Sequence, residues 1–187
     1  MRVLKMLYAA RTKLVLHRLD EWHRIEFFRS ELGLSAGQRV RITGQVSWGS
    51  EPYLVRLGND VTIADGVRFV THDGGVAVFR RDCPGLNVYD QIVVGNNVFI
   101  GVNAILMPGI KIGDNVVIGA GSVVTNSLPN DVVAAGNPAR VIRTLAEYRE
   151  RVATRSVTVG TDDPVNRRHL IMASVAATSR LRDNGST

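Results

Sequence analysis

One histidine stands inside the regular part of this 187-residue chain. His72 lies in the run Thr71-His72-Asp73-Gly74-Gly75, whereas His17 and His23 fall near the N-terminus and His169 near the other end. An imidazole has an ordinary pKa of about 6.5, so at neutral pH it is mostly uncharged and able to accept a proton. A lone histidine at a turn is also an ordinary surface residue, and residue type alone does not separate the two readings. Its place says more, because the segment Gly75–Gln91 follows at once, and loops carried on rigid scaffolds build clefts. A catalytic imidazole needs a partner to fix its tautomer. Asp73 is adjacent, although neighbours along an extended chain point to opposite faces. Cys83 is the one cysteine, which excludes an internal disulfide; beside Pro84 it reads as incidental rather than nucleophilic.

The elements that must hold His72 are announced by a period of six. Val94, Ile100, Leu106, Ile112, Ile118 and Val124 recur at every sixth position, with Leu57, Ile63 and Phe69 on the same period earlier. Such a period fits neither an isolated helix nor a hairpin sheet; it fits a β-solenoid whose turns stack their aliphatic residues inward. Residues 94–111 and 112–129 make two full coils, with Val94 on Ile112, Ile100 on Ile118 and Leu106 on Val124. Residues 57–74 make another, and Val40 to Leu54 reads as a first, irregular coil. The period slips once between Phe69 and Val94, where residues 75–91, with Arg80, Arg81 and a Pro84-Gly85 turn, read as a loop ejected from a corner. Asp60, Asn96, Asn97, Asp114 and Asn115 fall near the turns, where left-handed backbone angles are expected.

Outside the repeat, residues 3–30 read as a helix with Leu4, Tyr8, Val15, Leu19 and Trp22 on one face, ending at Gly33. Its expected role is to cap the open end of the stack. Thr144–Ala153 reads as a short helix, and Leu170–Arg182 as a further one. The expected division is a helical extension over 1–36, the solenoid domain over 37–143 and a helix with tail over 144–187.

Composition narrows the class. Apolar residues make up 45% and charged residues 21%, as in a soluble globular protein, and no stretch has the roughly 18 apolar residues of a membrane span. The N-terminal segment is punctuated by Arg2, Lys5, Arg11, Lys13 and Arg18, unlike a secretory leader, so a cytoplasmic location is expected. The formal charge of +6 is concentrated there: residues 1–50 carry nine Lys/Arg against four Asp/Glu, while 51–143 carry seven against eight. Without interleaved aromatics or a helix-turn-helix pattern, the charge does not indicate nucleic acid. It suits weak attraction to an anionic membrane surface or glycan, but it reads more simply as a solvated basic helix face.

The run VGNNVFIGVNAILMPGIKIGDNVVIGAGSVVTNSLPNDVVAAGNPARVI, together with THDGG at 71–75, resembles the hexapeptide-repeat acyltransferases. The chain is most similar to their maltose and galactoside O-acetyltransferase branch, and to enzymes that acetylate sugars of capsule, exopolysaccharide or lipopolysaccharide. The resemblance covers roughly residues 51–150. It implies a mainly β fold, a left-handed parallel β-helix, although most parallel crossovers are right-handed. It also implies a homotrimer with sites at subunit clefts, acetyl-CoA as the acyl donor and a carbohydrate acceptor, with no catalytic metal.

The resemblance assigns roles by position. It makes His72 the general base, and it places Glu51 where related enzymes carry polar acceptor-binding residues; the alternative for Glu51 is an exposed turn acid beside Pro52. Tyr89 and Asp90, at the end of the loop, are weaker candidates for orienting the imidazole. Phe99 stands where Trp is common and would wall the pantetheine arm, or simply pack. Gly101, Val102 and Ala120 match positions that offer backbone groups to that arm. Thr125-Asn126 replaces a common Thr-Lys pair, which removes one cation from the phosphate end. Arg140 and Arg143 remain for the phosphates, whose geometry suits guanidinium forks.

The expected reaction is acetyl-CoA-dependent O-acetylation of a sugar or polysaccharide hydroxyl, in a direct transfer within a ternary complex. N-acetylation of an amino sugar or of a xenobiotic uses the same machinery, and loops 44–54 and 75–91 would choose between them. A zinc enzyme of the gamma carbonic anhydrase type needs three converging histidines, which one solenoid histidine does not supply. A non-catalytic scaffold would have no need of His72.

Overall fold

Aliphatic residues at every sixth position share no helix face, but they all point inward when an extended chain turns a corner every six residues. The computed structural model describes residues 18–153, Ser156, Gly160 and 163–183, and its core is such a prism. The first face stacks β1 (Ser35–Ala36), β3 (Val55–Leu57), β6 (Ile92–Val94) and β9 (Lys111–Ile112). The second stacks β2 (Arg41–Ile42), β4 (Val61–Ile63), β7 (Val98–Ile100) and β10 (Val116–Ile118), and continues into β12 (Val132–Gly136) and the antiparallel β13 (Ala139–Thr144). The third stacks β5 (Arg68–Phe69), β8 (Ile105–Leu106) and β11 (Val123–Val124).

The register is the one the repeat predicts. Val94 pairs with Ile112, Ile100 with Ile118 and Leu106 with Val124. Across the slip, Leu57 pairs with Val94, Ile63 with Ile100 and Phe69 with Leu106, so the segment after His72 leaves the prism without disturbing the stack. All of these side chains are buried. At about 4.8 Å per coil they form a continuous apolar column.

The corners divide their polar residues into two kinds. Asp60, Asn97 and Asn115 adopt the expected left-handed angles, with φ of 58°, 53° and 57°. Asn96 and Asp114 do not; they act through their side chains. Asn96 Oδ1 accepts from Asn59 N at 2.9 Å, Asp114 Oδ1 from Asn96 N at 2.6 Å, and Asn130 Oδ1 from Asp114 N at 2.9 Å. Turn amides that no strand partner reaches are thereby satisfied by the next coil.

At the N-terminal end, α1 (Arg24–Leu32) covers the first coil with Ile25 and Phe28 buried, and Gly33 stops it at φ 69°. The expected single helix over 3–30 is not continuous. Residues 3–17, with Leu4, Tyr8, Val15 and His17, lie outside the described residues. In the described part, the Asp20 carboxylate accepts from Trp22 N and His23 N, both at 2.9 Å, a local turn that competes with helix. The break resets the phase, so Trp22 is exposed, 5.9 Å from the Arg41 guanidinium, rather than packed. Arg24 Nη1 donates to the carbonyls of Ile42 and Gly44, which ties α1 to the coil beneath.

The first coil begins at Ser35, slightly ahead of the boundary expected at 37. Beyond β13, α2 (Leu145–Ala153) follows the expected helix, and α3 (Pro164–Asp183) is longer than the expected 170–182. The chain divides into compact units between Leu145 and Ala146, and every candidate site residue lies in the first. Among the described residues, no helix is long and apolar enough to cross a membrane.

Candidate active site

His72 follows β5, at the corner between the third face and the first. Its backbone pairs with Tyr89 in an antiparallel bridge, Asp73 N donates to Val88 O at 2.9 Å and Asp90 N to Thr71 O at 3.1 Å. These bonds close the neck of the ejected loop, which contains a 3-10 turn over Gly74–Phe79 and is otherwise almost wholly exposed. The imidazole is therefore held on rigid backbone at the loop's mouth, with 44% of its side chain exposed.

The partner of His72 comes from the irregular first coil. Glu51 Oε2 lies 3.2 Å from His72 Nδ1, and Ser50 Oγ lies 3.2 Å from the same nitrogen. Thr71 Oγ1 donates to Glu51 Oε2 at 2.8 Å. The Glu51 side chain is only 14% exposed. Burial by itself raises its carboxyl, but hydrogen bonds from Thr71, Ser50 and His72 outweigh that and hold it below the ordinary value of 4.5. An ionised carboxylate can only accept, so the Glu51 contact favours the imidazole proton on Nδ1, with Nε2 as the basic nitrogen. Asp73 is not in this cluster: its carboxylate accepts from Gly75 N at 2.8 Å and caps the 3-10 turn. Asp90 Oδ1 accepts from Gln91 N, while the Tyr89 ring stands 6.1 Å from the imidazole.

The residues that the resemblance assigns to the coenzyme lie mainly along another edge. Gly101, Val102 and Ala120 form the corner between the second and third faces, with Gly121 N donating to Val102 O at 2.7 Å. A Cβ on Gly101 would stand 2.6 Å from Ala120 N, so this corner has no room for a side chain there. Phe99 projects from β7 beside that edge and is 44% exposed. Along the same second face, Phe99 pairs with Val117, Val117 with Val133 and Val133 with Arg143. Arg140 pairs with Ala135, next to Gly119. Arg143 Nε is buried without a hydrogen-bond partner, a donor that an anionic oxygen would satisfy. Thr125 and Asn126 stand apart from this track, on the corner that carries His72.

Comparison with known proteins fits this geometry. Residues 91–126 match the family described as bacterial transferase hexapeptide (six repeats). Protein CapG of Staphylococcus aureus is 48% identical over 124 residues, which are 65% of this chain and 72% of CapG. The crystal structure of a maltose O-acetyltransferase from Clostridium difficile 630 superposes with a TM-score of 0.57 at 30% identity, covering 76% of this chain and 87% of that one. The chain belongs to the hexapeptide-repeat acetyltransferases. A further family structure, VCA0836 from Vibrio cholerae complexed with acetyl coenzyme A, superposes with a TM-score of 0.55 at 26% identity over 73% of this chain and 85% of that one.

As a hexapeptide-repeat acetyltransferase, the protein is a left-handed parallel β-helix. Among the described residues, no group of three His, Cys, Asp or Glu side chains could hold a metal ion. Two members of the His72 cluster, Ser50 and Thr71, have no role in the sequence reading. For Thr71 a signal existed, since alternation from buried Phe69 through Val70 turns it inward. For Ser50 there was none, because the path of residues 44–54 follows no period.

Proposed function

We propose that this acetyltransferase moves an acetyl group from acetyl-CoA to a hydroxyl of a sugar or of a polysaccharide or lipopolysaccharide precursor, in one direct step with His72 as general base. The observation that carries the reading is the pair formed by Glu51 and His72 at the mouth of an exposed loop. His72 Nε2 takes the proton of the acceptor hydroxyl as its oxygen attacks the acetyl carbonyl, and returns it to the sulfur as the thioester bond breaks. Glu51 keeps the imidazole in the Nδ1–H tautomer and stabilises its charged form. Asp73 serves by capping the loop. The coenzyme supplies a thioester-activated acetyl group.

Gly101, Val102 and Ala120, flanked by Phe99, would hold the pantetheine arm, and Arg140 and Arg143 the phosphates. Within one chain the third face of the prism separates that track from His72. This supports a homotrimer in which one subunit's base faces its neighbour's coenzyme edge, with Thr125 and Asn126 on the base's side of the cleft. Supply of acetyl-CoA points to work in the cytoplasm. The sugar acceptor is supported by the likeness to a maltose O-acetyltransferase.

The test is an acceptor screen with labelled acetyl-CoA over sugars, amino sugars and polysaccharide fragments, using wild type and His72→Ala. O-acetylated sugar from wild type alone is the expected result. Product confined to amines would replace this reading with N-acetylation, and turnover by His72→Ala at the wild-type rate would remove His72 as base.

A further inference from the structure

We propose that Thr71 is a positioning residue, whose hydroxyl holds Glu51 Oε2 at the one point from which that oxygen also reaches His72 Nδ1. The inference rests on the reading of His72 as base. Thr71 has no exposed surface, and it follows Phe69 on the inward side of the chain, where aliphatic side chains are the rule. A hydroxyl in such a place costs folding free energy unless it is paired, and valine would fill the volume without that cost. Among the described residues, the one hydrogen-bond acceptor of the Thr71 hydroxyl is the carboxylate of Glu51, at 2.8 Å. The oxygen it contacts is the same one that lies 3.2 Å from His72 Nδ1.

The surroundings make this contact hard to replace by water. Trp48 stacks on Phe69 with ring centroids 4.9 Å apart and planes 12° from parallel, which fixes the start of the turn that leads to Glu51. Gly49 then takes φ 72°, and a Cβ there would stand 2.8 Å from Thr71 Oγ1. The turn thus lies directly on the hydroxyl. The Thr71 carbonyl is engaged as well, accepting from Asp90 N at the loop neck. Both ends of the residue are held, so its hydroxyl is a fixed point against which the Glu51 side chain is aimed. Removal of that donor leaves the carboxylate held only by Ser50 and the imidazole, both near the exposed mouth of the loop, with no buried anchor against rotation.

The experiment reads the imidazole itself. Long-range proton–nitrogen correlation spectra of the full-length protein at neutral pH resolve the ring nitrogens of His72, assigned by its loss in His72→Ala. Wild type and Thr71→Ser should show predominantly the Nδ1–H tautomer. In Thr71→Val, as in Glu51→Gln, the Nδ1–H share should fall below that of Nε2–H, the form that imidazoles favour in water. A merely structural Thr71 would change the melting temperature and leave the tautomer alone. If Thr71→Val keeps the wild-type tautomer while Glu51→Gln loses it, the inference is wrong and the Glu51 assignment stands. If both keep it, the inference and the orienting role of Glu51 fall together. Should the valine variant not fold, Thr71→Ala removes the same donor and reads the same signal. Activity of His72→Ala, measured separately, decides the base assignment itself.

Discussion

Glu51 and His72 are brought to 3.2 Å from different coils, one leaving the irregular first turn of the stack and the other starting the ejected loop. The contact joins the two irregular segments of an otherwise periodic scaffold. His72→Ala should fold with unchanged circular dichroism and lose about 100- to 10,000-fold in kcat, the usual share of a general base. Glu51→Gln should lose less, since it removes orientation and charge but not the proton acceptor. Steady-state rates with saturating acetyl-CoA check both.

The lowered Glu51 carboxyl gives stability a pH dependence with a definite sign. Its folded pKa lies below its unfolded one, so the ionised group favours the folded state above the ordinary value of 4.5. That contribution fades as pH falls through the folded pKa. Thermal melts from pH 7 downward should show wild type losing its advantage over Glu51→Gln in the acidic range. A constant gap between the two melting curves would contradict the assignment.

Arg140 and Arg143 sit in the hairpin that ends the proposed coenzyme track, and Arg143 carries an unpaired buried Nε. Arg140→Ala should weaken coenzyme A binding by about tenfold, on the scale of one charge-assisted hydrogen bond to phosphate. Dephospho-coenzyme A and the full coenzyme should separate less in the variant than in wild type by calorimetry. An unchanged dissociation constant would remove Arg140 from the phosphates.

A subunit-bridging site can be tested by complementation. Mixed trimers refolded from His72→Ala and Arg140→Ala/Arg143→Ala chains should recover activity that neither parent has, because some clefts combine an intact base with an intact coenzyme edge. Mixtures no more active than the parents would place the whole site within one chain.

The corner at Gly101 makes a prediction about the scaffold alone. A methyl group there meets backbone atoms of Ala120 at 2.6 Å, so Gly101→Ala should destabilise the fold by about 1–3 kcal/mol. Denaturant titration against wild type measures this.

The stack was legible because burial alone explains a bulky aliphatic residue at every sixth position, and Ile100 on Ile118 follows from counting. Its hand was not, since periodicity has no chirality; that came from family resemblance. His72 was legible as the solenoid's lone histidine at a break in the repeat. The meeting of Ser50, Glu51 and Thr71 with it was not, because the route from Gly44 to Leu54 is set by the Trp48–Phe69 stack and the left-handed Gly49 rather than by any local preference. The helix over 3–30 failed in its described part for a local reason, the capture of two backbone amides by Asp20.

Ile63 pairs with Ile100 just as Ile100 pairs with Ile118, although a whole loop separates the first two along the chain. The neck bonds at Asp73 and Asp90 seal that excursion at its root, and Val76 is its one buried apolar side chain. Residues 74–87 are thus a cassette. On the proposed function, acceptor preference can be rewritten there, by evolution or by grafting, with no core contact of the prism renegotiated and His72 left standing at the cassette's edge.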